Sequence, residues 1–199
     1  MINDTNYWEA FYAQYPENKM PSSFAEYVNS VYLKKNKTLL ELGCGNGRDA
    51  IYFANLGLKV TAIDLAATEI DYLNNLNIKD ITFKATDFTK LHGYNNFDFV
   101  YSRFTLHSIN EDSENAVISQ LSDVLKPGGL FLLEARSIKD EGLEKKFGVD
   151  HYRRYIDLEK IIKKIEAKGF KIIESLEAQD LAKYKEENPY IVRVIAKAL

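Results

Sequence analysis

Hydrophobic residues recur along the chain in two patterns: short apolar runs that predict strands, and stretches with apolar positions three or four residues apart that predict helices. The predicted elements, in chain order, are helix Ser23–Leu33, strand Thr38–Glu41, helix Arg48–Leu56, strand Lys59–Ile63, helix Thr68–Leu76, strands Ile81–Lys84 and Phe97–Tyr101, helix Ser113–Leu125, strand Leu130–Glu134, helix Leu158–Lys168, and strands Phe170–Leu176 and Ile191–Ala196. This alternation indicates an α/β fold with a parallel sheet.

The two strands nearest the carboxyl end of the chain follow one another without a helix between them. Parallel neighbours need a long crossover, which is usually helical, whereas antiparallel neighbours can be joined by a loop such as 177–190. The pattern therefore predicts that the last strand is antiparallel. Ser22 or Ser23 is the expected N-cap of the first helix.

The composition indicates a single domain over residues 1–199. The chain is 46% hydrophobic, which is enough for one buried core, and no repeat or Gly/Ser linker divides it. Within this domain we expect an N-terminal helical cap over residues 1–33 and, over residues 137–156, a polar insert on the side where an acceptor would bind.

Charge, cysteine content and hydropathy argue against several kinds of partner. A formal net charge of -3 gives no general attraction for nucleic acid. The lone cysteine, Cys44, cannot form an internal disulfide, and no Cys/His cluster predicts a metal site. No signal pattern opens the chain, and no apolar run approaches the roughly 20 residues of a membrane span. We expect a cytoplasmic protein without nucleic-acid or membrane partners.

The strongest chemical signal is a glycine-rich turn between the first strand and the next helix, Leu-Glu-Leu-Gly-Cys-Gly-Asn-Gly-Arg over residues 40–48. Glycine lets the backbone approach a ligand closely. The spacing is G-x-G-x-G after Glu41, and not the G-x-G-x-x-G that places a pyrophosphate on a helix N-terminus. A carboxylate here disfavours an anionic ligand. It suits S-adenosylmethionine (SAM), which has no phosphate and carries cationic sulfonium and ammonium groups.

Two further acidic residues follow strands whose carboxyl ends should meet the same edge of the sheet. Asp64 ends the second strand, where a Rossmann-type sheet places a carboxylate that accepts hydrogen bonds from ribose hydroxyls. Asp87 and Phe88 follow the third strand, where they could contact an adenine ring. Asp87 could instead cap a turn, and Phe88 could belong to the core.

Through the stretches LLELGCGNGRDA, VTAIDLA, ATDF and LKPGGLFLLEA, the chain resembles class I SAM-dependent methyltransferases over nearly its whole length. The resemblance implies a Rossmann-like seven-stranded sheet of order 3-2-1-4-5-7-6, with strand 7 antiparallel and helices on both faces. It also assigns Glu41, Gly43, Gly45 and Gly47 to the methionyl end of SAM, Asp64 to the ribose, and Asp87 with Phe88 to the adenine.

The cofactor candidates include five further residues. They are Trp8, Tyr12, Asn46, Leu65 and Ser102. Trp8 and Tyr12 share one face of a predicted helix, which either docks on the domain or closes over the cofactor. Within the family, Tyr7-Trp8, Phe11-Tyr12 and the segment 150–155 are similar to small bacterial enzymes, some of them from capsule-modification gene clusters.

The acceptor-side candidates lie after the fourth strand and in the polar insert. His107 and His151 are candidate general bases, although a lone histidine is more often structural. Adjacent arginines favour an anionic ligand, although a charge run is usually a solvated face. The candidate acceptor-binding residues are Arg103, Tyr152, Arg153 and Arg154.

These features predict a SAM-dependent methyltransferase that acts on a small molecule. The first hypothesis is O-methylation of an acceptor that carries a phosphate, phosphoramidate or carboxylate, with capsule polysaccharide modification as its context. The alternatives are N-methylation of an amino sugar or metabolite, and a non-catalytic SAM-binding partner subunit. A nicotinamide-dependent dehydrogenase is disfavoured, because the G-x-G-x-x-G spacing is missing.

Overall fold

A seven-stranded mixed sheet organises the computed structural model, which describes residues 20–142 and 152–199. The helices and strands are α1 Ser23–Val31, β1 Thr38–Leu42, α2 Arg48–Asn55, β2 Lys59–Asp64, α3 Ala67–Asn75, β3 Ile81–Ala85, β4 Phe97–Arg103, α4 Glu111–Val124, β5 Leu125–Arg136, α5 Leu158–Glu166, β6 Phe170–Ala178 and β7 Ile191–Ala198. Short 3-10 turns cover Leu106–Ser108 and Ile138–Asp140.

The strands lie in the order β3-β2-β1-β4-β5-β7-β6, which confirms the predicted topology. The strands from β1 to β5 pair in parallel, and β7 runs antiparallel to both β5 and β6. The absent crossover helix between the last two strands was therefore a sound basis for predicting the direction of β7.

Local sequence explains where several helices begin and end. The Ser22 side chain accepts a hydrogen bond from the Ala25 backbone N–H, so Ser22 is the N-cap of α1, as predicted. Asn110 and Asp157 cap α4 and α5 in the same way. Gly169, at φ +83°, follows α5 and allows the turn into β6.

The start of β5 differs from its predicted position. The sequence Lys126-Pro127-Gly128-Gly129 predicts a turn before a strand at Leu130, but β5 begins at Leu125, directly after α4. Leu125 pairs with Phe97, and an irregularity between Phe97 and Phe99 absorbs the change of register. A proline and two glycines are tolerated here because a bulge relaxes the regular pairing.

Two apolar clusters cover the two faces of the sheet. One contains residues of α4 and α5, among them Val117, Leu121 and Ile161, against inward-facing strand residues. The other contains Phe24 of α1 and Phe53 of α2, with the buried Tyr101 of β4. Successive residues of a strand point to opposite faces of the sheet. The same alternation determines the face on which each polar residue at the carboxyl end of a strand lies.

The carboxyl ends of the parallel strands gather at one edge, where α/β sheets bind ligands. The predicted N-terminal cap is represented by α1, because residues 1–19 lie outside the described residues, and the predicted insert is described except for 143–151. No helix in the described ranges is long and apolar enough to cross a bilayer.

Candidate active site

The glycine turn after β1 adopts backbone conformations that favour glycine at three alternate positions. Gly43, Gly45 and Gly47 have φ values of +69°, +53° and +73°. A Cβ atom added at Gly43 would clash with Thr105 Cγ2 of the turn after β4. Gly43 and the buried Cys44 both donate their backbone N–H groups to the Ile63 carbonyl oxygen, at 2.8 and 3.0 Å. The turn is therefore fixed between β2 and β4, with bare backbone along its path.

Asp64 binds the glycine turn directly. Its Oδ2 accepts from the Gly45 N–H at 2.8 Å, and its Oδ1 accepts from the Ala66 N–H at 3.0 Å. Burial raises the pKa of the Asp64 carboxyl, and these backbone donors oppose that shift. A carboxylate has about four lone-pair positions, so Asp64 can accept further donors such as ribose hydroxyls. Leu65 beside it remains 45% exposed, as a residue that packs against a ligand would be.

Glu41 is the most unusual group at this edge. It is 4% exposed, and no donor in the described part of the chain lies within hydrogen-bond distance of its Oε2 atom. Burial, followed by the negative charge of Asp49, raises the pKa of the Glu41 carboxyl well above its ordinary value, and Arg48 opposes the shift. A buried carboxylate oxygen without a partner is unfavourable, so this site would gain free energy by taking up a cation.

Asp49 is buried too, but its carboxylate is well paired. It accepts hydrogen bonds from the backbone N–H and the hydroxyl of Ser22, both at 2.7 Å, and from the Tyr101 hydroxyl at 2.9 Å. Tyr101 stacks on Phe24, with the ring centroids 5.3 Å apart. These contacts fix the start of α1 to the first turn of α2, directly after the glycine turn.

Asp87 and Phe88 follow β3. The contacts of Asp87 are those of a turn cap, and Phe88 packs in the core, which are the alternatives to adenine binding. Asp87 Oδ1 accepts from the backbone N–H and hydroxyl of Thr89, at 2.9 and 2.7 Å, which is a turn-capping arrangement. Its Oδ2 lies 3.6 Å from Lys90 Nζ. Phe88 is mostly buried in the core, although its ring would be 3.6 Å from a Cβ atom at Gly43. Adenine binding by this pair stays a prediction.

Arg103 ends β4 and is held by a buried carboxylate. Its Nε donates to Glu134 Oε1 at 2.9 Å, while Arg193 Nε of β7 donates to Glu134 Oε2 at 2.7 Å. Glu134 is fully buried, and its charge raises the pKa of the Arg103 guanidinium against the effect of burial. No described residue accepts from the two Nη atoms of Arg103. The fork of this guanidinium is thus oriented and has donors left for an anionic ligand.

The turn after β4 holds its shape through local contacts. Ser102 Oγ and Thr105 Oγ1 share a hydrogen bond, and Ser102 is fully buried. Phe104 lies between them at φ +60°, a strained conformation for a bulky residue. Its ring lies 4.2 Å from the Arg103 guanidinium carbon and 5.2 Å from the centroid of the His107 ring. The strained backbone of Phe104 thus lies directly beside Arg103.

His107 is buried in the 3-10 turn that follows, and one of its ring nitrogens is engaged. Its Nδ1 accepts the backbone N–H of Arg136 at 3.2 Å. A nitrogen that accepts a hydrogen bond holds a lone pair and no proton, so the neutral ring carries its proton on Nε2. The predicted role of His107 as a general base stays a prediction.

Arg154 is committed to the fold. Its Nε donates to the Ile109 carbonyl at 2.7 Å, and its Nη2 contacts the buried carboxylate of Glu114. Its backbone N–H donates to the His107 carbonyl at 2.9 Å. These contacts occupy Nε and Nη2 of the guanidinium within the domain, and a direct acceptor contact by Arg154 stays a prediction.

For the remaining candidate residues the structure gives less detail. Tyr152 and Arg153 are half-buried at the start of the chain after the gap, and Asn46 is half-buried within the glycine turn. Trp8, Tyr12 and His151 lie outside the described residues, so their roles stay predictions. The described residues contain no group of three or more His, Cys, Asp or Glu side chains that could hold a metal ion.

Sequence reasoning missed four residues that shape this edge: Arg48, Asp49, Phe104 and Glu134. Arg48 is mostly buried near Arg103, whose charge adds to burial in lowering the pKa of Arg48. Arg48 and Asp49 could have been found from their position directly after the glycine turn. Charged residues at the start of the helix that follows this turn lie at the same edge of the sheet as the turn itself. Nothing in the sequence pattern indicates the strain at Phe104.

Comparisons with known proteins agree with this geometry. Residues 39–129 match the family described as a methyltransferase domain. A probable S-adenosyl-L-methionine-dependent methyltransferase, TehB, from Haemophilus influenzae is 29% identical over 52% of this chain and 37% of its own length. Phosphoethanolamine N-methyltransferase 3 from Arabidopsis thaliana is 33% identical over 54% of this chain and 23% of its own. The chain therefore corresponds to well under half of these relatives.

A similar fold occurs in a solved structure that is described as a TehB-like SAM-dependent methyltransferase from Corynebacterium glutamicum. The two chains align with a TM-score of 0.71 and 17% sequence identity, over 98% of this chain and 97% of the other. At this identity the likeness concerns the fold, and it extends over the whole domain.

Proposed function

We propose that the chain is a class I SAM-dependent methyltransferase, which transfers the methyl group of SAM to a small molecule that carries an anionic group. The observation that carries this proposal is the buried Glu41 carboxylate beside the glycine turn, with an oxygen that no described residue satisfies. A ligand whose cationic end reaches Glu41 removes that unfavourable state, and the ammonium group of SAM is such a cation.

The residues present fit SAM along its length. Glu41 would hold the ammonium group, and the bare backbone from Gly43 to Gly47 leaves room for the aminoacyl tail. Asp64 has lone pairs left for the ribose hydroxyls, and the exposed Leu65 would cover the nucleoside. Asp87 and Phe88 are proposed for the adenine end, and Asn46 and Ser102 for neighbouring positions.

When bound, SAM supplies a methyl group on a positively charged sulfur, which an acceptor displaces in line. The protein's contribution is to align the two molecules and exclude water, and this requires neither a metal nor a covalent intermediate. The tethered glycine turn and the Asp49–Ser22 contacts give the donor side the rigidity that alignment needs.

The anionic character of the acceptor is supported by Arg103. Glu134 holds its Nε, so the guanidinium fork has a set orientation at the end of β4, next to the donor site. A phosphate, phosphoramidate or carboxylate would match the remaining donors in a two-point contact. Arg153 and Tyr152 are further candidates for contacting it. O-methylation of an acceptor that carries such a group is therefore our first candidate reaction. We propose capsule polysaccharide modification as its context.

N-methylation is the second candidate, and one comparison favours it. The phosphoethanolamine N-methyltransferase relative is named for a substrate that combines a phosphate with an amine. In a molecule of that kind, Arg103 would bind the anionic end and leave the amine as the nucleophile. The predictions of a cytoplasmic location and of no nucleic-acid partner accompany both candidates.

A thermal-shift titration with SAM, S-adenosylhomocysteine, NADH and ATP tests the donor. A ligand at a hundredfold excess over its dissociation constant stabilises a protein by about 2.7 kcal/mol, so a real donor is easily detected. We expect shifts with SAM and S-adenosylhomocysteine alone. An NADH-selective shift would indicate a dehydrogenase, and no shift with SAM would refute our interpretation of the glycine turn.

Transfer of tritiated methyl from SAM to phosphorylated, carboxylated and amine-bearing metabolites tests the acceptor. Label in acid-labile or base-labile esters would indicate oxygen, and label in stable methylamines would indicate nitrogen. SAM binding without label in any compound class would favour the non-catalytic partner subunit.

A further inference from the structure

A groove lies at the amino end of the parallel strands, at the edge of the sheet opposite to the glycine turn. It has a volume of about 530 Å³ and begins beside Tyr32, where α1 ends. Small-molecule sites usually have volumes of roughly 300–1,000 Å³. One part of its lining is apolar and is formed by Tyr32, Phe99, Pro127, Leu130 and Ile173.

Positive charge dominates the rest of this amino-end groove. The described residues that line it include four lysines and one acidic residue, so they carry a formal charge of +3 in a chain whose net charge is -3. The charged residues are Lys34, Lys37, Lys126, Lys197 and Asp98. The groove therefore attracts anions although the chain as a whole does not.

Asp98 fixes two of the ammonium groups. Its Oδ1 accepts from Lys37 Nζ at 3.0 Å, and its Oδ2 accepts from Lys126 Nζ at 2.8 Å. Oδ2 also accepts from the backbone N–H and the hydroxyl of Thr38, both at 2.9 Å. Burial raises the pKa of the Asp98 carboxyl, but these donors outweigh burial and hold the pKa below its ordinary value. Each ammonium has three N–H donors, so Lys37 and Lys126 are held in place with donors left for a ligand.

Lys34 and Lys197 add positive charge that no acidic residue in the described part of the chain neutralises. Lys197 of β7 lies directly opposite Lys171 of β6, where two like charges repel each other. The Lys197 side chain extends over the bulge of β5, because its Cε would be 3.5 Å from a Cβ atom at Gly128. An anion in the groove would reduce the repulsion between these lysines.

We propose that the amino-end groove binds a small molecule that carries a phosphate group on an apolar body. Compact ammonium groups that approach from several sides suit a phosphate, which concentrates its negative charge in a small volume. Gly128, at φ +77°, leaves the backbone bare beside the ammonium groups, and the apolar lining suits the organic part of the ligand. This site is independent of the proposed methyl transfer, because the two lie at opposite edges of the sheet.

Calorimetric titration of the full chain with phenyl phosphate tests the proposal, since this probe combines a phosphate with an apolar ring. We expect saturable binding that weakens as sodium chloride is added, because ions screen the attraction between exposed charges. The absence of saturable binding would overturn the proposal.

A pair of charge reversals tests whether the binding depends on the groove. Lys197→Glu changes a lysine of the groove, and Lys163→Glu changes an exposed lysine on α5 that does not line it. Both variants lower the net charge by the same amount. We expect the Kd for phenyl phosphate to rise about tenfold or more in Lys197→Glu and to stay unchanged in Lys163→Glu. Equal weakening in both variants would indicate a general attraction and would contradict the site.

Lys197→Glu should fold normally, because the new carboxylate lies opposite Lys171, and melting curves of both variants check this. Backbone amide spectra locate the ligand without any substitution. We expect phenyl phosphate to shift the signals of Gly128 and Lys197 and to leave that of Gly43 unchanged. Shifts near Arg103 with none at Gly128 would place the anion at the methyl-transfer site and overturn the proposal. Failure of SAM to bind would refute the proposed function and leave these measurements unaffected.

Discussion

Asp64 accepts the backbone N–H of Gly45 at 2.8 Å, so the carboxylate that ends β2 also fixes the middle of the glycine turn after β1. One side chain thereby serves both as the proposed ribose acceptor and as a brace for the backbone that surrounds the donor. This contact helps to hold one conformation of a turn that contains so many glycines, which lose much conformational entropy on ordering.

Asp64→Ala should abolish SAM binding, because it removes the proposed ribose contact and releases Gly45 and Ala66 together. The expected result is no thermal shift at SAM concentrations that shift the unsubstituted protein. Asp71→Ala, at an exposed position on α3, is the matched control and should bind SAM normally. Normal binding by Asp64→Ala would remove Asp64 from the donor site.

Glu41→Gln should stabilise the ligand-free protein and weaken SAM binding. Glutamine keeps the shape of the side chain but has no charge to bury, and the repulsion from Asp49 disappears. It also removes the carboxylate that would pair with the ammonium group. Melting curves with and without SAM measure both effects, and we expect a higher melting temperature without ligand and a smaller SAM shift. A lower melting temperature would mean that Glu41 is satisfied in the free protein.

The affinity for SAM should also depend on pH through Glu41. Burial raises the pKa of this carboxyl in the free protein, while a bound cation favours the ionised form. Binding then releases a proton whenever Glu41 is protonated beforehand, so affinity falls as the pH drops below the raised pKa, by up to about tenfold per pH unit. Calorimetric titration across this range should show the slope, and Glu41→Gln should flatten it.

Gly43→Ala should damage both folding and SAM binding, because Gly43 has positive φ and an added Cβ meets Thr105 Cγ2. Thr105→Ser deletes that methyl group and keeps the hydroxyl that bonds with Ser102. The double variant should recover the part of the loss that comes from the clash and keep roughly 1–2 kcal/mol of backbone strain. Urea unfolding of the two single variants and the double variant measures this, and additive losses would contradict the contact.

Most of the fold could be predicted because its signals are local. Strand and helix periods, the capping serine at position 22 and the missing crossover before β7 each depend on a short stretch of sequence. The start of β5 could not be predicted, since the bulge opposite Phe97 depends on pairing with a distant strand. Turn residues such as Pro127 and Gly128 indicate a break in regular structure without revealing whether a strand continues through it.

The positions of the donor-side candidates follow from the sequence more directly than the contacts of the acceptor-side arginines do, for a related reason. Glu41, Gly43 and Asp64 lie at strand ends whose positions follow from topology. The roles of Arg103 and Arg154 depend on which carboxylates lie nearby, namely Glu134 and Glu114, which are distant in sequence. Charge alone therefore suggested that all these arginines face a ligand, and only the tertiary contacts separate them.

Arg154→Ala should lower stability more than it changes catalysis, whereas Arg103→Lys should do the reverse. Removing Arg154 leaves the Ile109 carbonyl without this donor and the buried Glu114 with Lys164 as its remaining described partner. Losses of about 3–5 kcal/mol are typical when a buried ion pair is broken, which is roughly 6–20 °C in melting temperature for a domain of this size.

Arg103→Lys keeps a cation for Glu134 but loses the planar fork, so the melting temperature should change little while the KM for the anionic acceptor rises about tenfold or more. Melting curves and initial rates on both variants separate the roles of the two arginines. An unchanged melting temperature with a raised acceptor KM in Arg154→Ala would instead restore Arg154 as a direct acceptor contact, because the loss would then be confined to the bound state.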